Sequence, residues 1–386
     1  KHKQKKREGH DKTKETAQTS VAAVKYSRLI KKGFEANLED VNHVFLPSIG
    51  MYPHCKELFW SKKNIGDDNY LRFINIIFFK QITICISLFF TILKWFWKNK
   101  NDKCYVVFTF IYLPFLLAII PFKIFGKIKF VSFVPDLPSY SFSYSEGGGW
   151  IKNKFVPTYI FITNNLNALI DFYVYITKYM TTVFPNKPNM IMEGLSDFVI
   201  DNTIVEKSVT KSLMYSGALY EKFGIKNLVD AFVKINGDYE LWLFGKGDMV
   251  DYIENISKID SRIKFFGTQP NAEVLIYQKN ATLLINPRFT DNEFTKFSFP
   301  SKLIEYLYSG TPVITTKLAG IPGDYNEVFY FVENESVDGF KEIIEICFAK
   351  DAEELSYIGE KGKRFVLEQK NYKLQIKKLI ENLKNL

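Results

Sequence analysis

Residues that form disulfides and metal sites are scarce in this sequence. It has four cysteines, Cys55, Cys85, Cys104 and Cys347, without a Cys-x-x-Cys spacing, and only four histidines in 386 residues. Neither a disulfide framework nor a zinc site is therefore expected, and a reducing interior suits the chain. We expect no bound metal and no cofactor.

An apolar leader is also lacking at the start of the sequence. The first 20 residues, KHKQKKREGHDKTKETAQTS, are polar and charged, so we expect a disordered basic lead over residues 1–19. Residues 105–122 carry no charge. Pro114 interrupts this run and aromatic and β-branched residues crowd its beginning, so we interpret it as a buried strand followed by a helix rather than a membrane span.

The charge is uneven along the chain. Residues 1–190 hold 27 Lys and Arg against 13 Asp and Glu, whereas residues 191–386 hold 24 against 29. A basic half suits nucleic acid, an anionic membrane surface or an anionic substrate. No RNP-like aromatic box, helix-turn-helix signature or Cys/His finger occurs, so we expect no nucleic-acid partner.

A basic aromatic segment is the candidate for membrane binding. Trp95, Phe96 and Trp97 lie between Lys94 and Lys98, with Lys100 close behind. Amphipathic rings mixed with cations are typical of a bilayer interface. The alternative, a helix with core aromatics and solvated lysines, stays open.

Strand-like and helix-like segments alternate along the chain, and 47% of the residues are apolar. This alternation predicts an α/β fold with parallel sheets covered on both faces, in two domains. We expect a domain over residues 20–195, a second over 196–386, and a linker near residues 193–201. The segments used for this prediction include helices near residues 20–38 and 81–97, a strand at 41–48, and a regular series from 211 to 316.

The segment FSFPSKLIEYLYSGTPVI, residues 297–314, carries the clearest chemical signal. Pro300 suits the first turn of a helix, with Ser298 as its cap, and Ser309-Gly310 suits its end. The amides of Ser301, Lys302 and Leu303 would then be open to a diphosphate. Glu305, further along, suits ribose hydroxyls; equally, it could pair with Lys302 on a solvated face.

These residues resemble a known family. SFPSKLIEYLYSGTPVITT is similar to the donor-site segment of family 4 glycosyltransferases of the GT-B fold, particularly the bacterial capsular and exopolysaccharide enzymes. YSGALYEKFGIKNLVDAF, LWLFGKGD and IKFFGTQPNAEVL resemble other segments of the same family. The resemblance extends over roughly residues 20–386.

The resemblance implies two facing Rossmann-like domains and a hexosyltransferase that acts with retention. The co-substrate would be a nucleoside-diphosphate sugar, and the acceptor a lipid-linked or other glycan at the inner face of the cell membrane. The C-terminal helix would pack back on the first domain. No Asp-x-Asp triplet occurs, which argues for metal independence. The alternative is a degenerate GT-B protein that binds nucleotide sugar or membrane without turnover; an epimerase or phosphorylase fits the sequence less well.

The resemblance also implies site residues. Glu305 would bind the ribose, Lys222 would neutralise the diphosphate together with the helix N-terminus, and Asp136 would orient donor or acceptor hydroxyls, unless it only caps its loop. The donor site as a whole would comprise Gly217, Lys226, Gly245, Gly247, Gly267, Glu293, Ser298, Phe299, Pro300, Ser301, Lys302, Leu303 and Glu305.

Three positions depart from the family pattern. Phe297 stands where the first of two paired glutamates is expected, and Glu293 is the nearest upstream carboxylate. Ala218 and Phe223 stand where many members carry an arginine and a lysine.

Overall fold

A computed structural model describes residues 21–47, 49–53, 55–61, 64–65, 68–137, 150–184, 186–197 and 207–386. The expected basic lead, residues 1–19, lies outside the described residues, as do residues 198–201 of the expected linker.

The described residues form eleven α-helices and fourteen strands. The helices are α1 (Val21–Glu35), α2 (Phe79–Lys98), α3 (Leu113–Phe125), α4 (Trp150–Leu166), α5 (Ile225–Val233), α6 (Val250–Ile259), α7 (Asn271–Asn280), α8 (Lys302–Tyr308), α9 (Val337–Ala349), α10 (Ala352–Gln369) and α11 (Tyr372–Lys384). The strands are β1 (Phe59–Trp60), β2 (Asn64–Ile65), β3 (Asp68–Asn69), β4 (Phe73–Ile74), β5 (Cys104–Phe108), β6 (Ile128–Val134), β7 (Phe172–Tyr175), β8 (Asn189–Ile191), β9 (Lys211–Ala218), β10 (Tyr239–Lys246), β11 (Ile263–Gly267), β12 (Leu283–Asn286), β13 (Val313–Thr316) and β14 (Phe329–Val332).

Contacts within the chain divide it into two compact units. Unit 1 comprises the described residues within 1–31, 38–133 and 145–172, and unit 2 those within 32–37, 134–144 and 173–386. The expected boundary at residue 195 remains a prediction.

Parallel pairing dominates the larger sheets. A four-stranded sheet has the order β5-β6-β7-β8, in which β5 pairs parallel with β6 and β7 parallel with β8. The two short sheets, β1-β4 and β2-β3, are antiparallel. In unit 1, α2 and α3 pack together, with the rings of Phe89 and Phe122 5.3 Å apart.

Unit 2 contains a six-stranded, fully parallel sheet in the order β11-β10-β9-β12-β13-β14. Successive strand residues point to opposite faces. Leu213, Leu241 and Ile285 pack on one face with α5, α6 and α9. Met214, Trp242 and Leu284 pack on the other with α7, α8 and α10. Because helices cover both faces, the strands are nearly continuous apolar runs.

This architecture confirms the expected α/β fold with parallel sheets. The uncharged run at 105–122 divides into β5 and α3, as expected, and Pro114 lies in the first turn of α3. The prediction of a strand at residues 41–48 is wrong. Within the described part of this segment, Phe45 makes an isolated bridge to Tyr70, so one rung of pairing forms and no ladder extends from it.

The beginning of the expected linker is buried and bonded. The Glu193 and Lys370 side chains are 5% and 6% exposed, and Lys370 Nζ lies 2.6 Å from Glu193 Oε1. Tyr325 donates its hydroxyl to Glu193 Oε1, and the Lys370 amino group lies 2.8 Å from Asp324 Oδ2. Burial and the Glu193 charge raise the pKa of Tyr325 well above its usual value. This cluster ties residues 193–196 to the start of α11, since Ser196 also pairs with Asn371.

We expect Lys370→Met to lower the stability of unit 2 by about 3–5 kcal/mol, because it leaves the Glu193 carboxylate buried without its cation. Chemical denaturation followed by tryptophan fluorescence measures the loss. Lys361→Met is the matched control, since its ion pair with Glu327 is exposed. Equal midpoints for the two variants would contradict the role given to the buried pair.

Candidate functional site

The six-stranded sheet has a topological switch point between β9 and β12. From β9 the chain proceeds through β10 to β11 on one side, whereas β12, β13 and β14 lie on the other. In open parallel sheets, ligands bind in the crevice at the carboxyl ends of the strands where the order reverses. The loops that leave β9 and β12 flank this crevice.

Glycines allow the loops at this edge to approach closely. A Cβ on Gly245, at φ +136°, would lie 1.8 Å from the Gly217 carbonyl oxygen, and a Cβ on Gly224, at φ +79°, would lie 2.0 Å from the carbonyl oxygen of Pro287. A side chain at either position would force the main chains apart. Gly247 makes a similar approach to Leu219.

β9 and β12 separate near their carboxyl ends, and a tyrosine closes the gap. The two strands pair at Leu213 and Met214. Beyond them, the Tyr306 hydroxyl accepts from the Ser216 amide at 2.8 Å and lies 3.1 Å from the Ser216 carbonyl oxygen. Burial raises the pKa of Tyr306, so this hydroxyl stays neutral. The side chain thereby satisfies main-chain groups that lack a strand partner.

The segment before α8 differs from the sequence expectation. The helix begins at Lys302, with Ser301 as its cap residue and no side-chain capping bond. Ser298 is extended and follows a 3-10 helix over Glu293–Phe297, so the expected Ser298 cap is wrong. The Leu303 amide donates to the Pro300 oxygen at 2.9 Å, so the expectation that it is open is also wrong. Among the described residues, the amides of Ser301 and Lys302 have no hydrogen-bond acceptor.

The Glu305 carboxylate is held at one oxygen. Lys302 Nζ donates to Oε1 at 2.6 Å and Gln278 Nε2 at 2.9 Å. Gln278 is fully buried and also donates to Ser216 Oγ at 3.2 Å, so Glu305 lies one amide group away from the end of β9. The pair with Lys302 therefore exists, but not on a solvated face, because the Glu305 side chain is only 12% exposed. Within the described part of the chain, Oε2 has no hydrogen-bond donor.

Two of the expected cations have different environments. Lys222 is exposed, and its amino group lies 5.5 Å from the Phe223 ring centroid. Lys226 forms an ion pair with Asp230 at 2.7 Å.

Sequence reasoning missed Arg288, whose guanidinium lies 4.6 Å from the Phe223 ring centroid. Its position directly after the strand-like run ATLLINP was the available signal. Gln278 was missed as well, and no sequence signal singled it out.

The remaining expected donor residues are spread around the crevice and the core. Phe299 and Leu303 are buried with the helix core, so only their main chains are available to a ligand. Gly267, at φ +65°, has open space around it. Glu293 is exposed, without a hydrogen bond or ion pair to the described residues.

Asp136 follows β6 and is exposed. Partial loss of hydration raises the pKa of its carboxyl. Among the described residues, the Glu305 carboxylate accepts from Lys302 and Gln278 and not from Asp136.

Comparison with known sequences identifies the region around this crevice. The family description "Glycosyl transferases group 1" matches residues 210–349, which contain β9 to β14 and α5 to α9. The N-acetyl-alpha-D-glucosaminyl L-malate synthase of Bacillus anthracis is 25% identical over 203 residues, which cover 47% of this chain and 51% of that protein. The match thus spans about half the length of this curated relative.

Solved structures share the fold over nearly the whole chain. The lipopolysaccharide outer core galactosyltransferase WaaB has a TM-score of 0.62 at 14% identity and covers 95% of this chain and 96% of its own. Sucrose-phosphate synthase from Thermosynechococcus elongatus has a TM-score of 0.61 at 14% identity, with coverages of 93% and 92%. Anabaena HepE in complex with UDP has a TM-score of 0.59 at 14% identity, with coverages of 83% and 86%.

These identities are low enough that the likeness to solved structures establishes the fold alone. They show that this chain has the GT-B fold, in which residues 210–349 are similar to the group 1 glycosyltransferases.

Proposed function

We propose that this protein is a retaining glycosyltransferase that moves a sugar from a nucleoside-diphosphate sugar to a glycan acceptor. The observation that carries the proposal is the Glu305 carboxylate, which is largely shielded from solvent, held at Oε1, and next to the switch-point crevice in the segment similar to group 1 glycosyltransferases. A carboxylate oxygen without a protein donor is a suitable acceptor for ribose hydroxyls. Structural relatives crystallised with UDP and with UDP-glucose support a nucleotide-sugar donor.

Electrostatic stabilisation is the main chemical requirement of this transfer. The bond between the anomeric carbon and the diphosphate oxygen breaks, and its electron pair stays on that oxygen. The acceptor oxygen bonds to the anomeric carbon from the same face, and its proton passes to the departing phosphate oxygen. Negative charge therefore grows on the diphosphate, where fixed cations and main-chain amides lower the barrier. In this proposal the open amides of Ser301 and Lys302 face the diphosphate, and Asp136 orients hydroxyl groups.

The finer assignment rests on the resemblance of the SFPSK-x-x-EYL-x-SGTPV segment to family 4 enzymes. It supports a role in capsular or exopolysaccharide biosynthesis, with a lipid-linked acceptor. The name of the Bacillus anthracis relative describes an N-acetylglucosaminyl group on L-malate. Nucleotides of N-acetylglucosamine therefore belong among the first donors to test.

We further propose that unit 1 binds the inner face of an anionic membrane peripherally. One side of α2 is buried through Ile84, Leu88 and Ile92. The other side exposes large apolar side chains, namely Phe79, Ile82, Ile86, Phe90 and Trp97. Among the described residues, α2 is also long and apolar enough, by length and composition alone, to cross a membrane. Because one side of α2 is buried in the protein and the other exposes apolar side chains, we favour a helix that lies in the membrane interface over one that crosses the bilayer.

Charge complementarity supports the choice of an anionic surface. A groove of about 490 Å³ beyond the end of α2 is lined by Lys100, Lys103, Lys127 and Lys129, with Asp102 as the acidic member. Each lysine near an anionic membrane contributes about 1 kcal/mol to binding. Of the three rings in the expected aromatic segment, Trp97 is exposed, whereas Trp95 and Phe96 are partly buried.

A binding protein without turnover is the second candidate. Ala218, Phe223 and Phe297 favour it, because each replaces a polar residue that the resemblance places in the donor site. Binding of a nucleotide sugar without hydrolysis or transfer would support this candidate.

We expect Glu305→Gln to weaken binding of the preferred sugar nucleotide by about 10–100-fold, since a hydrogen bond to a charged group contributes roughly 1.5–3 kcal/mol. The preferred donor is first found by thermal shift with a panel of UDP-, GDP-, ADP- and TDP-sugars. Calorimetry and a donor-hydrolysis assay then compare the variants. Glu381→Gln, an exposed glutamate on α11, is the control, and unchanged affinity and turnover in a folded Glu305→Gln protein would refute the role of Glu305.

We expect turnover to be equal in EDTA and in Mg²⁺, because the sequence offers no Asp-x-Asp triplet for a metal-bound diphosphate. The rate of donor hydrolysis in the two buffers measures this. A rate that falls in EDTA and returns with added Mg²⁺ would contradict metal independence.

We expect the protein to float with vesicles of phosphatidylcholine and phosphatidylglycerol but not with phosphatidylcholine alone. Lys100→Ala and Lys127→Ala should each lower the constant for partition of the protein from water to the vesicles about fivefold. Trp97→Ser should weaken binding, whereas Tyr357→Ser, an exposed ring on α10, is the control. Equal failure to float with both vesicle types would exclude the surface, and resistance to alkaline extraction would indicate spanning instead.

A further inference from the structure

Five basic side chains lie on the connections and helix starts that follow β9 and β12. They are Lys222, Lys226, Arg288, Lys296 and Lys302. Lys226 is paired with Asp230, and Lys302 with Glu305. Lys222 and Lys296 are exposed at the surface. Arg288 is the one arginine of this set, it is partly buried, and its guanidinium lies 4.6 Å from the Phe223 ring centroid.

The position of Arg288 follows from the packing of two loops. β9 and β12 are neighbours, so the loops at their carboxyl ends lie side by side. The Gly224 turn touches the carbonyl of Pro287, the residue directly before Arg288. This contact brings the Arg288 guanidinium to 4.6 Å from the Phe223 ring centroid and 6.0 Å from that of Phe294. An arginine stacked on rings keeps its fork of donors in a restricted orientation.

The positive charge of Arg288 also acts on the turn at the end of β9, residues 217–218. Tyr215 donates its hydroxyl to the Ala218 oxygen at 2.9 Å. Burial raises the pKa of Tyr215 to about 12, and the positive charge of Arg288 opposes that rise. The guanidinium is therefore electrostatically close to the 217–218 turn as well as stacked on the 223–224 turn. Both turns border the switch-point crevice.

We propose that Arg288 is the residue that binds the diphosphate of the sugar nucleotide. This inference rests on the proposed function. A guanidinium presents parallel donors that match phosphate oxygens, and it stays charged throughout the reaction. Arg288 thus carries no proton to or from the substrate. It stabilises the charge left on the diphosphate oxygen when the bond to the anomeric carbon breaks, and the acceptor's proton neutralises that oxygen afterwards.

The test compares nucleoside diphosphate, monophosphate and nucleoside. The nucleoside diphosphate that binds the wild-type protein most tightly, among UDP, GDP, ADP and TDP, is titrated by calorimetry with its monophosphate and its nucleoside. We expect Arg288→Gln to weaken binding of the diphosphate by about 10–100-fold, because hydrogen bonds to charged groups are lost. Binding of the nucleoside should stay unchanged. Arg288→Lys keeps the positive charge but loses the paired donors of the guanidinium, so its affinity for the diphosphate should lie between those of the wild-type protein and Arg288→Gln.

Two further variants separate the possible explanations. Arg364→Gln removes an exposed arginine from α10 in the same unit and should leave every affinity unchanged. Lys222→Gln tests the rival cation. If Arg288→Gln weakened the binding of diphosphate and nucleoside equally, Arg288 would have a structural role. If Lys222→Gln lost more affinity for the diphosphate than Arg288→Gln, the diphosphate would be assigned to Lys222. Either result would overturn the inference. Failure of the wild-type protein to bind any of the four diphosphates would instead refute the proposed function.

Discussion

Contacts between main chains at the carboxyl edge of the six-stranded sheet are the constraint on which the site depends. β9 and β10 stay paired through Gly217 and Gly245 to the ends of both strands, and any Cβ on Gly245 would strike the carbonyl of Gly217. The Gly224 turn meets Pro287 in the same way. Because no side chain separates these segments, the residues next to each contact are placed by backbone geometry. Phe223 and Arg288 meet for this reason.

The alternation of strands and helices in unit 2 is predictable from the sequence because its strands are buried on both faces. The run LLIN of β12, for example, has no polar face that would obscure it. The start of α8 is not predictable by the same rules. Ser298 and Pro300 suit a helix start locally, but the buried Thr295 donates its hydroxyl to the Asn292 oxygen and stabilises a 3-10 helix just upstream. Ser298 ends that helix and is extended.

The candidate site is predictable where it depends on spacing along one helix and not where it depends on contacts between elements. The distance of Glu305 from the start of α8 is a local property, and the pair with Lys302 follows from i,i+3 spacing. Gln278 reaches Glu305 from another helix, so no local pattern marks it. The strand at 41–48 fails for a related reason, since an apolar run forms a strand only where a neighbour supplies more than one rung.

The net charge of a segment is a weak guide to the anion that it binds. Residues 191–386 hold 24 basic and 29 acidic side chains, and this excess of negative charge would repel a diphosphate at long range. Salt screens exposed charges beyond about 8–10 Å, whereas a partly buried guanidinium in contact with phosphate is screened much less. In the proposed diphosphate site, the local arrangement of Arg288, Phe223 and the glycine turns would therefore outweigh the acidic excess. In the membrane surface proposed for unit 1, Lys100, Lys103 and Lys127 are exposed, and there the summed charge would decide the partner.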